Sequence, residues 1–177
     1  MKKNFMVFPL AVFVLVIIAL GCHKKEAPPP PPPPPPVVEK KPEPPKVDST
    51  AIWAQQRAEK VAKAKSAIEA KRIHFDFDKS DIKPEFRPVL MEITSTMKEF
   101  SEISIRIEGH CDERGTEAYN MALGERRSNS ARQFLIDSGI SGDRIDTKSW
   151  GEVRPVALGH NEESWWQNRR DEFIVTD

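Results

Sequence analysis

The chain has 177 residues, 27 Lys+Arg against 27 Asp+Glu, and two cysteines. That length suits one domain with additional segments. The balanced charge supplies no long-range field toward nucleic acid, and Cys22 and Cys111 do not suggest a disulfide framework.

Met1-Lys2-Lys3 is a short positive start, followed by an apolar run from Phe5 to Leu20 broken only by Pro9. The run is shorter than the roughly 20 residues a spanning helix needs and suits the core of an export signal. Ala19-Leu20-Gly21-Cys22 resembles a bacterial lipobox, which makes Cys22 the acylated first mature residue; Ala19 stands where Leu is usual. The competing reading is an uncleaved membrane helix with an incidental cysteine. The polar His23-Lys24-Lys25-Glu26 directly after the thiol argues against it. Two or more acyl chains would anchor the chain stably, since one is marginal.

Pro28–Pro36 is an unbroken proline run that excludes helix and sheet. As polyproline II its nine residues span roughly 28 Å. Val37–Lys46 extends it as a stiff, solvated tether. Residues 51–71 are rich in Ala, Lys, Glu and Gln and read as a helix with a thin apolar stripe, whose contacts the sequence leaves open. The expected division is a signal peptide over 1–21, a lipidated cysteine and Pro-rich linker over 22–50, a helical segment over 51–71, and a globular domain over 72–177.

Within that domain, Ile73–Asp78 alternates apolar and polar residues and predicts a half-buried strand. Pro84 suits the start of a helix whose apolar positions run from Phe86 to Phe100 at three- and four-residue steps, with Pro88 tolerated early or bending the first turn. Ile103–Glu108 predicts a second strand. Thr116 is a predicted N-cap for a helix reaching Ser138, and Gly139 a stop. Arg144–Trp150 predicts a third strand, 162–168 a short helical turn, and Arg170–Val175 a last strand. The order β-α-β-α-β-β predicts an α/β fold, with two main helices on one face of a small mixed sheet.

The densest chemistry lies at Gly109-His110-Cys111-Asp112-Glu113-Arg114-Gly115, between the second strand and the second helix. Asn120, Leu123 and Arg127 fall at i, i+3 and i+7 and share the helix face that this loop must pass. Asp112 and Arg127 can therefore wall one site. A carboxylate binds an ammonium, and a guanidinium fork grips a carboxylate. Together they suit a small zwitterion. The blander alternative is an Asp112–Arg127 salt bridge that only ties loop to helix, and the residues alone favour it.

Several separated motifs resemble one family. They are Phe75-Asp76-Phe77-Asp78, the run from Ile107 to Thr116, Tyr119-Asn120 with Ala122–Arg127, and Asn168-Arg169-Arg170. They resemble the peptidoglycan-associated lipoproteins of the OmpA C-terminal domain family over about 72–176. The resemblance implies an OmpA-like domain that holds peptidoglycan non-covalently at the diaminopimelate of the stem peptide. It implies that Asp112 takes the ligand ammonium and Arg127 its carboxylate. Phe77, Asp78, Asn120 and Leu123 would line the pocket, and the Asp78 loop would add backbone donors. It also implies a lipid-anchored periplasmic domain at the outer membrane, with TolB and other Tol or OmpA-family envelope proteins as partners, and roles in envelope integrity and cell division. Cys111 departs from the family, which usually carries Thr or Ala there. A small side chain replacing another is the simpler account; an exposed, oxidisable thiol beside His110 is the sharper one.

An enzyme fits poorly. The four histidines (His23, His74, His110, His160) lack metal-site spacing, and no phosphate loop or serine elbow is present. No cofactor is expected. A peptidoglycan hydrolase would need an acid pair or an activated nucleophile. An OmpA-family envelope lipoprotein without Tol partners remains an alternative. Trp165 and Trp166 are expected to serve as core or rim packing.

Overall fold

The computed structural model describes residues 29–31 and 49–176. The predicted signal peptide, the lipobox with Cys22 and most of the tether lie outside the described residues. All described regular structure belongs to the second of two units, Lys46–Asp177. Helix α1 is Ser49–Glu69, strand β1 Arg72–His74, helix α2 Arg87–Glu99, strand β2 Ser104–His110 and helix α3 Glu117–Asp137. Strand β3 is Ile145–Gly151, helix α4 Glu162–Asn168 and strand β4 Arg170–Thr176.

The sheet order is β1-β4-β2-β3. The parallel pair β2–β3 is joined through α3, while β4 runs antiparallel to both β1 and β2. The last strand thus inserts between the first two and carries its leading residues to where β1 and β2 end. On one face Ile73, Ile105, Ile107 and Phe173 meet Leu90, Ile93 and Met97 of α2 and Ala131 and Leu135 of α3. This is the alternation the sequence displays: odd positions of β2 face the core, even positions the opposite face.

That opposite face is a charged layer. Arg170 Nε donates to Glu172 at 2.7 Å, and Trp150 Nε1 to Glu108 at 2.7 Å. Lys148 and Arg154 stand 3.7 and 3.4 Å from the centre of the Trp150 ring. His110 is buried here, its ring nitrogens without a hydrogen-bond partner among the described residues. Burial, helped by the charge of Arg170, pushes its pKa down to about 4, so the ring is neutral at physiological pH.

Two element boundaries differ from the sequence reading, and the first helix, whose contacts it left open, is seen to dock. Helix α1 is not separate from the domain: Ala64 and Ile68 enter the common core, and Arg57 pairs with Glu102 at 3.0 Å. Its first turns stay exposed, with Trp53 71% accessible. Two prolines split the predicted second element. Pro84 opens a 3-10 turn through Phe86, and α2 begins afresh at Arg87 with Pro88 in its first turn. A missing N–H is harmless at a helix start and disruptive further in. Finally, β1 stops at His74 although the alternation runs to Asp78. Beyond it Phe75 is buried, Phe77 is 54% accessible, and Asp78 takes a left-handed φ of 58°. The carbonyls of Asp76 and Lys79 there accept from an arginine of α3 rather than from a strand.

Helix α3 starts where expected: Thr116 Oγ1 accepts from the Tyr119 amide at 3.3 Å. It stops at Asp137, two residues before Gly139, whose φ is +95°. Its position on the sheet depends on two glycines. A Cβ on Gly109 would lie 2.0 Å from the Gly124 carbonyl oxygen, so strand and helix backbones nearly touch. That approach brings the face bearing Asn120, Leu123 and Arg127 against the end of β2. A side chain at 109 must push the helix away, so Gly109→Ala should destabilise the domain by roughly 3 kcal/mol. Urea unfolding followed by circular dichroism measures this.

Candidate functional site

A cavity of about 180 Å³ opens where β1 and β2 end and β4 begins, closed on one side by the first half of α3. All six sequence-predicted site residues line it: Phe77, Asp78, Asp112, Asn120, Leu123 and Arg127. Cys111, Arg114, Gly115, Tyr119 and Arg169 complete the wall.

Arg127 forms the floor and is 0% accessible. Its guanidinium does not pair with Asp112. Nε donates to Lys79 O at 2.9 Å, Nη1 to His110 O at 2.8 Å, and Nη2 to Asp76 O at 3.2 Å. One side chain on α3 thereby holds the loop after β1 and the end of β2. Nη1 also reaches Cys111 Sγ at 3.5 Å, and the guanidinium carbon sits 5.0 Å from the centre of the Phe75 ring. Burial lowers the Arg127 pKa, while nearby Cys111, Asp171 and Asp112 act to raise it.

Asp112 lies opposite, 3% accessible. Its carboxylate accepts from Arg114 and Arg169. Burial acts to raise its pKa, but the Arg114 and Arg169 donors outweigh it and hold the carboxyl below its usual range. Asn120 Nδ2 donates to the carbonyls of Asp112 and Arg114, both at 3.2 Å, and to Glu152, which fixes the loop path. At the mouth, Tyr119 donates its hydroxyl to Asp78, which raises the phenol pKa. Arg114 lies between the rings of Phe77 and Trp165. The simple Asp112–Arg127 ion pair considered from sequence is therefore absent. Each charge has other partners, and both face one cavity.

Cys111 is the small buried side chain of the simpler account. It is 3% accessible, and its thiol donates to Asn120 O at 3.3 Å. Burial, partly opposed by Arg127, pushes its pKa up to about 11, which leaves little thiolate to react. Glu113 faces away from the cavity, accepting from His160 Nδ1 and Trp165 Nε1. Among the described residues no group of three or more His, Cys, Asp or Glu is placed to hold a metal ion.

Sequence reasoning missed the charges that stand behind the cavity wall. Arg169, quoted there only as part of a motif, reaches Asp112 because β4 inserts beside β1 and β2, and nothing local in the sequence announces that. Asp171 is missed for the same reason. It is 0% accessible on the core side of β4, its carboxylate lacking a hydrogen-bond partner among the described residues. Burial raises its pKa well above the carboxylate range, against the pull of Arg127 and Arg170.

The fold and pocket define a class: an α/β domain that gathers an acidic and a basic group around one cavity at the end of a mixed sheet. The chain belongs to the OmpA family, whose model matches residues 74–169. It is 46% identical over 100 residues to the peptidoglycan-associated lipoprotein of Pseudomonas aeruginosa, covering 56% of this chain and 59% of that protein. The corresponding protein of Mesorhizobium japonicum is 42% identical over 99 residues, with the same coverage. The match thus spans a little under three-fifths of these curated relatives. The crystal structure of the peptidoglycan-associated lipoprotein from Burkholderia pseudomallei superposes with a TM-score of 0.60 at 34% identity, over 62% of this chain and 93% of that one. The OmpA-like domain of FopA1 from Francisella tularensis shares the fold at 21% identity, with a TM-score of 0.52, over 59% of this chain and 70% of that one.

Two outcomes follow from the buried charges. Arg127→Ala leaves buried carbonyls of two segments unpaired and should cost roughly 3 kcal/mol or more in urea unfolding, much of a small domain's stability. Asp171→Asn should change the pH dependence of stability. Because the folded pKa of Asp171 lies above its ordinary 3.8, the unfolded chain releases the proton first. Its contribution is fully present below that value and is lost as pH rises. The variant should therefore gain stability relative to the parent as pH rises from the acid range towards neutral. Parallel unfolding curves across that range provide the check.

Proposed function

We propose that this chain is an envelope lipoprotein whose domain binds peptidoglycan non-covalently through the diaminopimelate of the stem peptide. Asp112 receives the free ammonium of that residue. Arg127, fixed at the floor, acts on the ligand carboxylate chiefly through its charge, and the Asp78 loop adds backbone donors. Phe77, Asp78, Asn120 and Leu123 shape the walls around the ligand's methylene chain. The observation that carries this reading is the single cavity lined by both Asp112 and Arg127. Relatives named peptidoglycan-associated lipoproteins support it.

In this proposal residues 1–21 are removed, Cys22 is acylated in the outer membrane, 22–50 form the tether, and the domain reaches the wall from the periplasm. The protein is a binder and not an enzyme. It links outer membrane to wall within a Tol–Pal system, with TolB as partner, and so supports envelope integrity and cell division. A charge pair near 4 Å is worth about 1 kcal/mol in water and about 4 kcal/mol at a partly shielded surface. Single contacts are therefore modest, and many anchored copies on a polymer gain avidity.

The test is co-sedimentation of chain lacking residues 1–21, with Cys22→Ser, on isolated sacculi. Sacculi with diaminopimelate should pellet the protein and lysine-type sacculi should not. Asp112→Asn, folded by circular dichroism, should weaken pelleting about tenfold, equivalent to about 1.4 kcal/mol. Equal pelleting on both wall types, or by the folded variant and its parent, would falsify the proposed site.

A further inference from the structure

The Asp112 carboxylate is already full. Oδ1 accepts from the Arg114 amide and Arg114 Nε, both at 3.1 Å. Oδ2 accepts from Arg114 Nη2 at 2.7 Å and Arg169 Nη1 at 3.0 Å. A carboxylate offers about four acceptor positions, so a ligand ammonium can bind there only if a resident donor leaves.

The two arginines are held very differently. The Arg169 side chain is 3% accessible and also donates to Phe75 O at 3.0 Å. The Arg114 side chain is 30% accessible and sits on the loop itself. Its guanidinium lies 4.0 Å from the centre of the Phe77 ring and 4.1 Å from that of Trp165. A second carboxylate lies nearby: Arg114 Nη2 stands 3.8 Å from Glu162 Oε2, while Glu162 Oε1 accepts from Arg169 Nη2.

We propose that Arg114 is a resident cation that the ligand's ammonium replaces, its guanidinium passing from Asp112 to Glu162 while it stays between the two aromatic rings. The proposal rests on Asp112 being the ammonium site of the preceding section. In the free protein Arg114 keeps a nearly buried carboxylate paired, which avoids the cost of an isolated charge. In the bound protein the ammonium takes over that duty. Phe77 and Trp165 hold the guanidinium by its faces, which leaves its N–H edge free to change acceptors. Affinity then reflects the difference between two cations on one carboxylate, and a ligand without a cation cannot drive the exchange.

The experiment is calorimetric titration of the full chain in detergent with the tripeptide L-Ala-γ-D-Glu-meso-diaminopimelate. Arg114→Gln should bind about threefold tighter or more. Glu162→Gln should weaken binding in the parent and much less in the Arg114→Gln background, a coupling that a double-mutant cycle isolates from the Glu162–Arg169 pair. Nitrogen-15 NMR gives a second reading. The Arg114 Nε–H, bonded to Asp112 Oδ1 in the free protein, should exchange faster with water on saturation with the tripeptide. Weaker binding by Arg114→Gln, with binding lost in Asp112→Asn, makes Arg114 a gripping residue and overturns the exchange alone. An unchanged Nε–H at saturation does the same. Equal binding by Asp112→Asn and the parent removes the ligand reading itself, and the exchange with it.

Discussion

One fully buried guanidinium organises this domain. Arg127 reaches from α3 to carbonyls on both sides of the sheet end, those of Asp76 and Lys79 after β1 and that of His110 at the end of β2. Taking a positive charge out of water costs several kcal/mol unless every donor finds an acceptor and opposing charge lies close. Here the backbone supplies the acceptors. The consequence is geometric: the loop after β1 cannot continue as a strand, because the carbonyls a neighbouring strand would use are already engaged.

The same economy recurs around the cavity. Asn120 secures the Asp112–Arg114 loop through its carbonyls, and Arg169 joins the Phe75 carbonyl to Asp112. Side chains, not a sheet ladder, hold the site's backbone. Such a network is stiff when fully satisfied and costly when broken. Asp171 is the exception, a buried carboxyl beside two arginines with no hydrogen-bond partner among the described residues. Burial favours its neutral form, against the pull of both neighbouring charges. Cys111 is kept neutral by the same cause, although Arg127 adjoins it.

Much of this was legible in the chain itself. Ile103, Ile105 and Ile107 mark a buried strand face through simple alternation. Thr116 and Gly139 mark the ends of α3 through capping chemistry, and the spacing of Asn120, Leu123 and Arg127 places them on one face. What escaped was everything that depends on β4 inserting between β1 and β2. Arg169 meets Asp112, and Asp171 meets Arg127, across more than forty positions of chain, and no local pattern encodes that neighbourhood. The strand reading beyond His74 failed for a related reason, although Phe77 does line the cavity. The place of Phe77 in the alternation is regular, but a left-handed Asp78 and the diverted carbonyls turn that ring outward. The helix over 51–71 was recognised by composition, while its docking needed the core to show where Ala64 and Ile68 fit.

Helix α1 has a mechanical meaning. Any pull on the chain ahead of residue 49 enters the domain through its exposed first turns. The grip lies further along, at Ala64 and Ile68 in the core and at Glu69, which accepts from the Val175 amide at 3.3 Å. None of these residues borders the cavity. Tension would therefore load this helix before the arginine-held loops, so the domain carries a sacrificial first joint, set apart from the cavity.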